Sequence, residues 1–243
     1  MFGGSFNPVH LGHLLVADEI AEILGLERVL FVPAASPPHK PAADLAPAPH
    51  RFEMTRLAVA EHPRFEVSDV ELRRSGPSYT VDTLEALAPR GALHLIIGSE
   101  TFLDLLSWRE PRRVAALARL VVVPRTGGGF DPDSTLAQKV LKELGLGYFV
   151  SPSAGALGSF DSPSAGTSTS YPLASPSAAA RQTAPLSPSP RTPLAPVLVP
   201  AASLPISGSD LRKRAREGRS LAFRMPAPVA AYIREHGLYR SRP

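Results

Sequence analysis

Gly3-Gly4-Ser5-Phe6-Asn7-Pro8-Val9-His10-Leu11-Gly12-His13 stands almost at the start of the chain, and the rest is best read outward from it. Adjacent glycines permit a tight turn and leave backbone N–H groups accessible to an anion. A helical pattern, Leu11 to Leu24, follows at once, so the positive end of its dipole faces the same place. His10 and His13 are three apart, which puts both rings on one side of the first helical turn. Gly12, between them, removes a side chain that would obstruct a ligand. Two imidazoles beside a cradle of amides can stabilise charge on a transferring phosphoryl group. The plainer alternative is a helix start with two solvated or packed histidines, and for an isolated H-x-x-H it would win. A two-histidine metal site is the other alternative, but the usual further ligands are not grouped nearby, so no protein-held metal is expected. The glycine turn directly upstream decides for nucleotide binding.

Further along, short apolar runs alternate with amphipathic stretches. Arg28-Val29-Leu30-Phe31-Val32 reads as a buried strand stopped by Pro33; Leu93 to Ile97, ended by Gly98, and Leu120 to Val123, ended by Pro124, read likewise. Continuous apolar runs of this length are typical of parallel strands covered on both faces. With helical patterns between them, such as Arg51 to Ala60, the fold class is α/β, a Rossmann-like doubly wound parallel sheet. Ligands in such sheets sit at the carboxyl ends of the strands, near the switch point. A short strand, Val197 to Val199, and a small C-terminal helical segment, near Ser209–Glu217 and Pro228–His236, complete it.

Two stretches break the pattern. Only Met1 and Phe2 precede the glycine turn, too few for a useful central strand, so either the sheet begins weakly or the natural start lies upstream. Residues 151–196 are crowded with Ser, Pro, Ala and Thr and carry only Asp161, Arg181 and Arg191 as charges. Such a composition cannot bury enough apolar surface to offset the entropy of ordering it, and it reads as a disordered insertion. The domain is then 1–150 together with 197–243.

The absence of cysteine excludes disulfides, thiolate metal sites and cysteine nucleophiles. No run is long enough to span a membrane, and the first residues have neither a charged leader nor an apolar signal core. A soluble, cytoplasmic protein is expected, and no membrane partner. The net charge of +4 is concentrated in Arg212, Lys213, Arg214, Arg216 and Arg219. Such a cluster can hold a long polyanion, a small phosphorylated ligand or only water. No nucleic-acid module accompanies it, so nucleic acid is not an expected partner.

GGSFNPVHLGH resembles the signature of the nucleotidyltransferases that carry an H-x-G-H motif. Further segments narrow the resemblance to bacterial nicotinate-nucleotide adenylyltransferases. Pro37-Pro38-His39-Lys40 is similar to that family's P-P-H-K loop, and Ser78-Tyr79-Thr80 with Thr83-Leu84 to its S-Y-T-x-x-T-L segment. Ile97-Gly98-Ser99-Glu100, then Leu106-Ser107-Trp108, resembles its G-x-D…W segment. Ile206 to Arg212 resembles I-S-x-T-x-I-R, and Tyr232-Ile233 with Leu238-Tyr239 its closing pattern. Glu100 stands where the family commonly has Asp, and Gly208-Ser209 replaces a residue-Thr pair.

The resemblance implies attack by the phosphate of nicotinate mononucleotide on the α-phosphorus of ATP, giving deamido-NAD and pyrophosphate in NAD biosynthesis. Catalysis would be positioning plus electrostatics, with Mg²⁺ held mainly by the ATP phosphates. By similarity His10, His13, Lys40 and Arg212 are the catalytic candidates, with His13 nearer the reacting phosphate and Arg212 on the β- and γ-phosphates. Gly4, Ser5, Phe6, Gly12, Gly98, Glu100, Ser207 and Ser209 would bind ATP. Tyr79, Thr80 and Trp108 would hold the pyridine nucleotide, Trp108 by stacking. Preference between the acid and the amide substrate is left open, and a homo-oligomer is compatible with the sequence.

Overall fold

Val121 and Val123 face one hydrophobic core while Leu120 and Val122 face another, as the two-residue period of a strand requires. The same division runs through Ile96 against Leu95 and Ile97, and through Phe31 against Val32. Their apolar runs are unbroken because both faces of the sheet are covered. The computed structural model describes residues 1–38, 41, 45–124, 128–152, 193–201 and 204–240.

Among the described residues the strands are β1 (Phe2–Gly4), β2 (Val29–Pro33), β3 (Phe65–Val67), β4 (Leu93–Gly98), β5 (Ala118–Val123) and β6 (Val197–Leu198). They form one sheet in the order β3-β2-β1-β4-β5-β6, and every pairing is parallel. The helices are α1 (Leu11–Ile23), α2 (Ala48–Val59), α3 (Thr80–Leu87), α4 (Ser99–Leu103), α5 (Pro111–Leu117), α6 (Thr135–Leu144), α7 (Gly208–Arg216) and α8 (Ala227–Glu235). Ile20 of α1, Met54 of α2, Leu211 of α7 and Ile233 of α8 pack on one face. Leu84 of α3, Phe102 of α4, Val114 of α5 and Leu141 of α6 pack on the other. This is the doubly wound sheet that the alternation predicts.

The expectation of a first strand too short to matter is corrected. β1 lies in the middle of the sheet, pairing Phe2, Gly3 and Gly4 with Phe31, Val32 and Pro33, and Phe2 with Ile96. Gly3 and Gly4 extend the strand rather than merely turning the chain after it. Because neighbours hold it on both sides, three residues suffice.

Residues 153–192, the bulk of the Ser/Pro/Ala-rich stretch, lie outside the described residues. Its flanks are seen: Val150 forms a parallel bridge with Val197, and the Val150 N–H donates to the Pro196 carbonyl at 2.9 Å. The chain therefore departs and returns side by side at the sheet edge next to β5.

Candidate active site

The chain builds outward from β1 to β2 and β3, then crosses back over β1 to begin β4. The strand order reverses between β1 and β4, the place where open α/β sheets take their ligands. Phe2 is in register with Ile96, so Gly4 and Gly98 end their strands at the same level. Both glycine segments singled out in the sequence, Gly4-Ser5-Phe6 and Gly98 to Glu100, thus meet at one crevice. Glu100 is exposed in the first turn of α4.

His10 is the N-cap of α1, with extended backbone, and its ring stacks on that of His13 at 3.7 Å between centroids. The His10 N–H donates to His13 Nδ1 at 3.3 Å. A nitrogen that accepts this bond carries no proton, so the neutral His13 ring bears its hydrogen on Nε2. Phe2 and Phe6 meet the same ring edge-on, at 6.0 and 5.2 Å. His10 is only 8% exposed, and its Nδ1 is buried without a hydrogen-bond partner among the described residues. Burial lowers its pKa to about 4, so at neutral pH His10 is an uncharged imidazole. The pair is therefore not two cations; it offers ring N–H groups and shape. Gly12 has a role beyond leaving a ligand unobstructed. A Cβ there would lie 3.1 Å from His10 Nδ1 and 3.2 Å from its Cε1, so the glycine first makes room for His10 itself.

The turn that leads into α1 is anchored from three directions. Phe6 has a left-handed backbone (φ 42°), unfavourable by about 1 kcal/mol for a side chain of this kind. Its ring is 2% exposed and packs on Phe2 and Phe31, which holds it there. Asn7 Oδ1 accepts the Ala46 N–H at 3.0 Å and the Tyr239 hydroxyl at 2.9 Å. Burial pushes the Tyr239 phenol pKa well up, against the opposing pull of Arg212 and Arg51, so it remains a donor. The Asn7 carbonyl accepts Arg212 Nη1 at 2.8 Å. Gly208 allows that approach, because a Cβ there would come within 3.1 Å of the same carbonyl. Arg51, 1% exposed, donates from Nε to Ala46 at 2.8 Å, from Nη1 to Ser5 at 2.8 Å and from Nη2 to Ala35 at 3.1 Å, all to backbone carbonyls.

Ser207 caps α7, its Oγ accepting the Asp210 N–H at 3.1 Å and lying 3.1 Å from Ser209 Oγ. The structure thus brings Ser207, Ser209 and Arg212 to the glycine turn and both histidines, from the far end of the chain. His39 and Lys40 lie outside the described residues. Sequence reasoning quotes Asn7, Arg51 and Tyr239 within its segments but gives none of them a role. One signal for Arg51 exists: it falls on the face of α2 shared with Met54, Thr55 and Val59, where a charge is out of place unless it has partners.

On the other side of the crevice Tyr79 precedes α3 and Thr80 begins it. The Ser36 N–H donates to Ser78 Oγ at 3.0 Å and the Ser78 N–H to the Ser36 carbonyl at 2.9 Å, tying the loop after β2 to this helix start. Trp108, half-buried, follows a 3₁₀ turn at Leu105–Ser107. Its neighbour Arg109 stands over the Tyr79 ring at 4.8 Å, which brings the Tyr79 and Trp108 segments together. Below them Thr83 Oγ1 donates at 2.7 Å to Glu71 Oε1, a carboxylate 5% exposed whose Oε2 is buried with no partner among the described residues.

Residues 1–214 match the family described as cytidylyltransferase-like. The "Probable nicotinate-nucleotide adenylyltransferase" of one Thermus thermophilus strain is 41% identical over 99% of this chain and 98% of its own length. The protein of the same name from a Roseiflexus species is 36% identical over 99% and 96%. Among solved structures, the Plasmodium falciparum nicotinic acid mononucleotide adenylyltransferase complexed with NaAD superposes with a TM-score of 0.61, covering 98% of this chain and 95% of that one. Its 17% identity speaks for the fold alone. The chain belongs to the cytidylyltransferase-like nucleotidyltransferases and, within them, to the bacterial nicotinate-nucleotide adenylyltransferase family.

Proposed function

We propose that the protein transfers the adenylyl group of ATP to nicotinate mononucleotide, giving deamido-NAD and pyrophosphate, as a step of NAD biosynthesis. The observation that carries this reading is the glycine turn with its stacked His10–His13 pair at the β1/β4 switch point. The chain's identity to the Thermus thermophilus protein supports the choice of acceptor.

A phosphate oxygen of the mononucleotide forms the new bond to the α-phosphorus, and the bond from that phosphorus to pyrophosphate breaks. The attacking oxygen is already anionic, so no protein nucleophile or base is needed. What the protein must supply is alignment and a place for the charge. The turn Gly4-Ser5-Phe6 lies against the head of α1, where the N–H groups of His10, Leu11, His13 and Leu14 are engaged within the protein, so the ring N–H groups and the positive end of the helix face the phosphates, with Gly12 keeping the helix start open. His13, protonated on Nε2, is suited to donate to oxygens on the α-phosphate, and neutral His10 lies against it. Arg212, bonded to Asn7, brings a planar cation and the Ser207–Ser209 hydroxyls to the outer phosphates. Gly98 and Glu100 face the adenosine, Lys40 adds a cation from its loop, and Tyr79, Thr80 and Trp108 take the pyridine ring.

Mg²⁺ enters with ATP as substrate. Among the described residues no group of three or more His, Cys, Asp or Glu could hold a metal. The ion would be held mainly by phosphate oxygens and water. Bound there, it neutralises phosphate charge.

The basic helix α7 suits a small ligand better than a nucleic acid. Lys213 and Arg219 pair with Glu217 at 4.0 and 3.2 Å, and Arg214 Nε donates to the Ser220 carbonyl at 3.0 Å. Among the described residues no helix is long and apolar enough to cross a membrane; the cytoplasmic location we propose is supported by the likeness to the nicotinate-nucleotide adenylyltransferases. Incubation with ATP, Mg²⁺ and, in turn, nicotinate mononucleotide, its amide, phosphopantetheine and glycerol phosphate tests the reading. Pyrophosphate release should be fastest with a pyridine mononucleotide. Release with phosphopantetheine and not with nicotinate mononucleotide would refute it.

A further inference from the structure

Arg51 touches neither substrate in the reading above, yet its guanidinium is the most deeply buried charged group beside the site, 1% exposed. Its three bonds are not scattered. One goes to Ser5, in the phosphate turn; the others go to Ala35 and Ala46, which flank the Pro37-Pro38-His39-Lys40 motif in sequence. Ala35 is followed by Ser36, which exchanges two hydrogen bonds with Ser78, and Ser78 is followed by Tyr79 and Thr80. A continuous line of contacts therefore runs from the ATP turn, through one guanidinium, to the pyridine side.

We propose that Arg51 is a positioning residue that fixes the two substrate half-sites against each other, through the carbonyls of Ser5 and Ala35. This rests on the adenylyl-transfer reading. A planar fork spreads its donors over three nitrogens and reaches three separated carbonyls at once, whereas the three donors of a lysine ammonium all diverge from one atom. Burial disfavours the charge, but the Glu71 carboxylate favours it, and the three carbonyls accept its hydrogen bonds. In-line transfer depends on the separation of the attacking oxygen from phosphorus, so loosening this link should act on turnover before it acts on either affinity.

Arg51→Lys and Arg51→Ala, made in the full chain, test this. A misplacement of about 1 Å costs on the order of 100-fold, so kcat should fall about 10- to 100-fold while each KM changes less than about threefold. Guanidinium at low millimolar concentration should restore a good part of the turnover of Arg51→Ala, and methylammonium should not. Where Arg51→Ala does not fold, Arg51→Lys decides. Hydrogen exchange at the Ser36 and Ser78 amides needs no turnover and should quicken in a folded Arg51→Lys. A folded Arg51→Lys with wild-type kcat, a loss confined to KM, or unchanged exchange at both amides would overturn the proposal. A wild-type protein that releases no pyrophosphate would instead overturn the reading beneath it while the exchange measurement still judges Arg51.

Discussion

The two sides of the crevice are built differently. The phosphate side is stitched by long-range bonds to buried groups: Asn7 to Ala46, Tyr239 and Arg212, and Arg51 to Ser5, Ala35 and Ala46. The pyridine side has a buried bond, Thr83 to Glu71, and is otherwise held by a reciprocal pair of serines at the surface, Ser36 with Ser78, and by the half-buried rings of Tyr79 and Trp108 packed on the core. Stabilising charge as it shifts between phosphates needs donors that do not reorganise, and burial provides that. Accepting a flat ring needs surface and shape, which half-exposed aromatics provide at less cost. Substitutions on the first side should therefore act on turnover or on folding, and substitutions on the second on acceptor affinity.

The largest effect should come from His13→Ala. Removing one preorganised donor to the developing charge typically lowers kcat by about 10²- to 10³-fold. His13 is half-buried and its loss should leave the sheet intact, so the circular dichroism spectrum and unfolding midpoint serve as controls. The expected outcome is a fall in kcat with KM for the mononucleotide nearly unchanged. Turnover at the wild-type rate would remove His13 from the chemistry and erase the distinction between the two sides.

The contrast also governs what the sequence can announce. β2, β4 and β5 are legible because burial on both faces writes an unbroken apolar run. The histidine pair and glycine turn are legible because their spacing is local. β1 is not, since its strand identity comes from the neighbours on either side rather than from Phe2-Gly3-Gly4. β3 and α4 are too short to carry a period. α6 carries its own punctuation, Ser134 capping its start and left-handed Gly145 its end, and remains outside the sequence reading. The roles of Arg51, Asn7 and Tyr239 are hidden for a different reason. Their partners are backbone carbonyls and side chains up to 232 residues away, and composition says nothing of such pairings.

A smaller effect, about 2 kcal/mol, should appear as an acid sensitivity of folding. His10 has a pKa of about 4 in the folded chain because burial penalises its charged form, against 6.5 when exposed. Below pH 6.5 the unfolded chain takes up a proton that the folded chain refuses. The neutral ring's contribution is thus fully present above about 6.5 and is lost as pH falls towards 4, about 2 kcal/mol of it by about pH 5. His94, also lowered to about 4 chiefly by burial, adds its own share. Urea unfolding of wild type and His10→Asn at about pH 7 and about pH 5 separates the two. The variant should lose less stability between these pH values than wild type does. Equal losses would mean that the His10 ring is not buried in the neutral form.

On the pyridine side Trp108→Ala should raise KM for nicotinate mononucleotide about tenfold, the scale of one lost aromatic contact, and leave KM for ATP alone. A rise in KM for ATP of the same size would place Trp108 on the wrong side.

The smallest effect, and the finest test of the division, is Arg109→Ala. Its guanidinium lies 4.8 Å over the Tyr79 ring and is exposed, a geometry that contributes about 0.5–1 kcal/mol. If that contact steadies Tyr79 against Trp108, its loss should raise KM for the mononucleotide by about two- to fivefold, the same energy expressed as affinity. Arg109→Lys keeps a cation that can sit over the ring and should recover most of the loss. A substitution acting only through net charge at the crevice mouth would also be rescued by Lys, but would raise both KM values by a margin that shrinks as salt screens the charge. Measuring both KM values at two salt concentrations tells these apart: a salt-insensitive rise confined to the mononucleotide assigns Arg109 to the ring, and a salt-sensitive rise in both assigns it to the field around the phosphates.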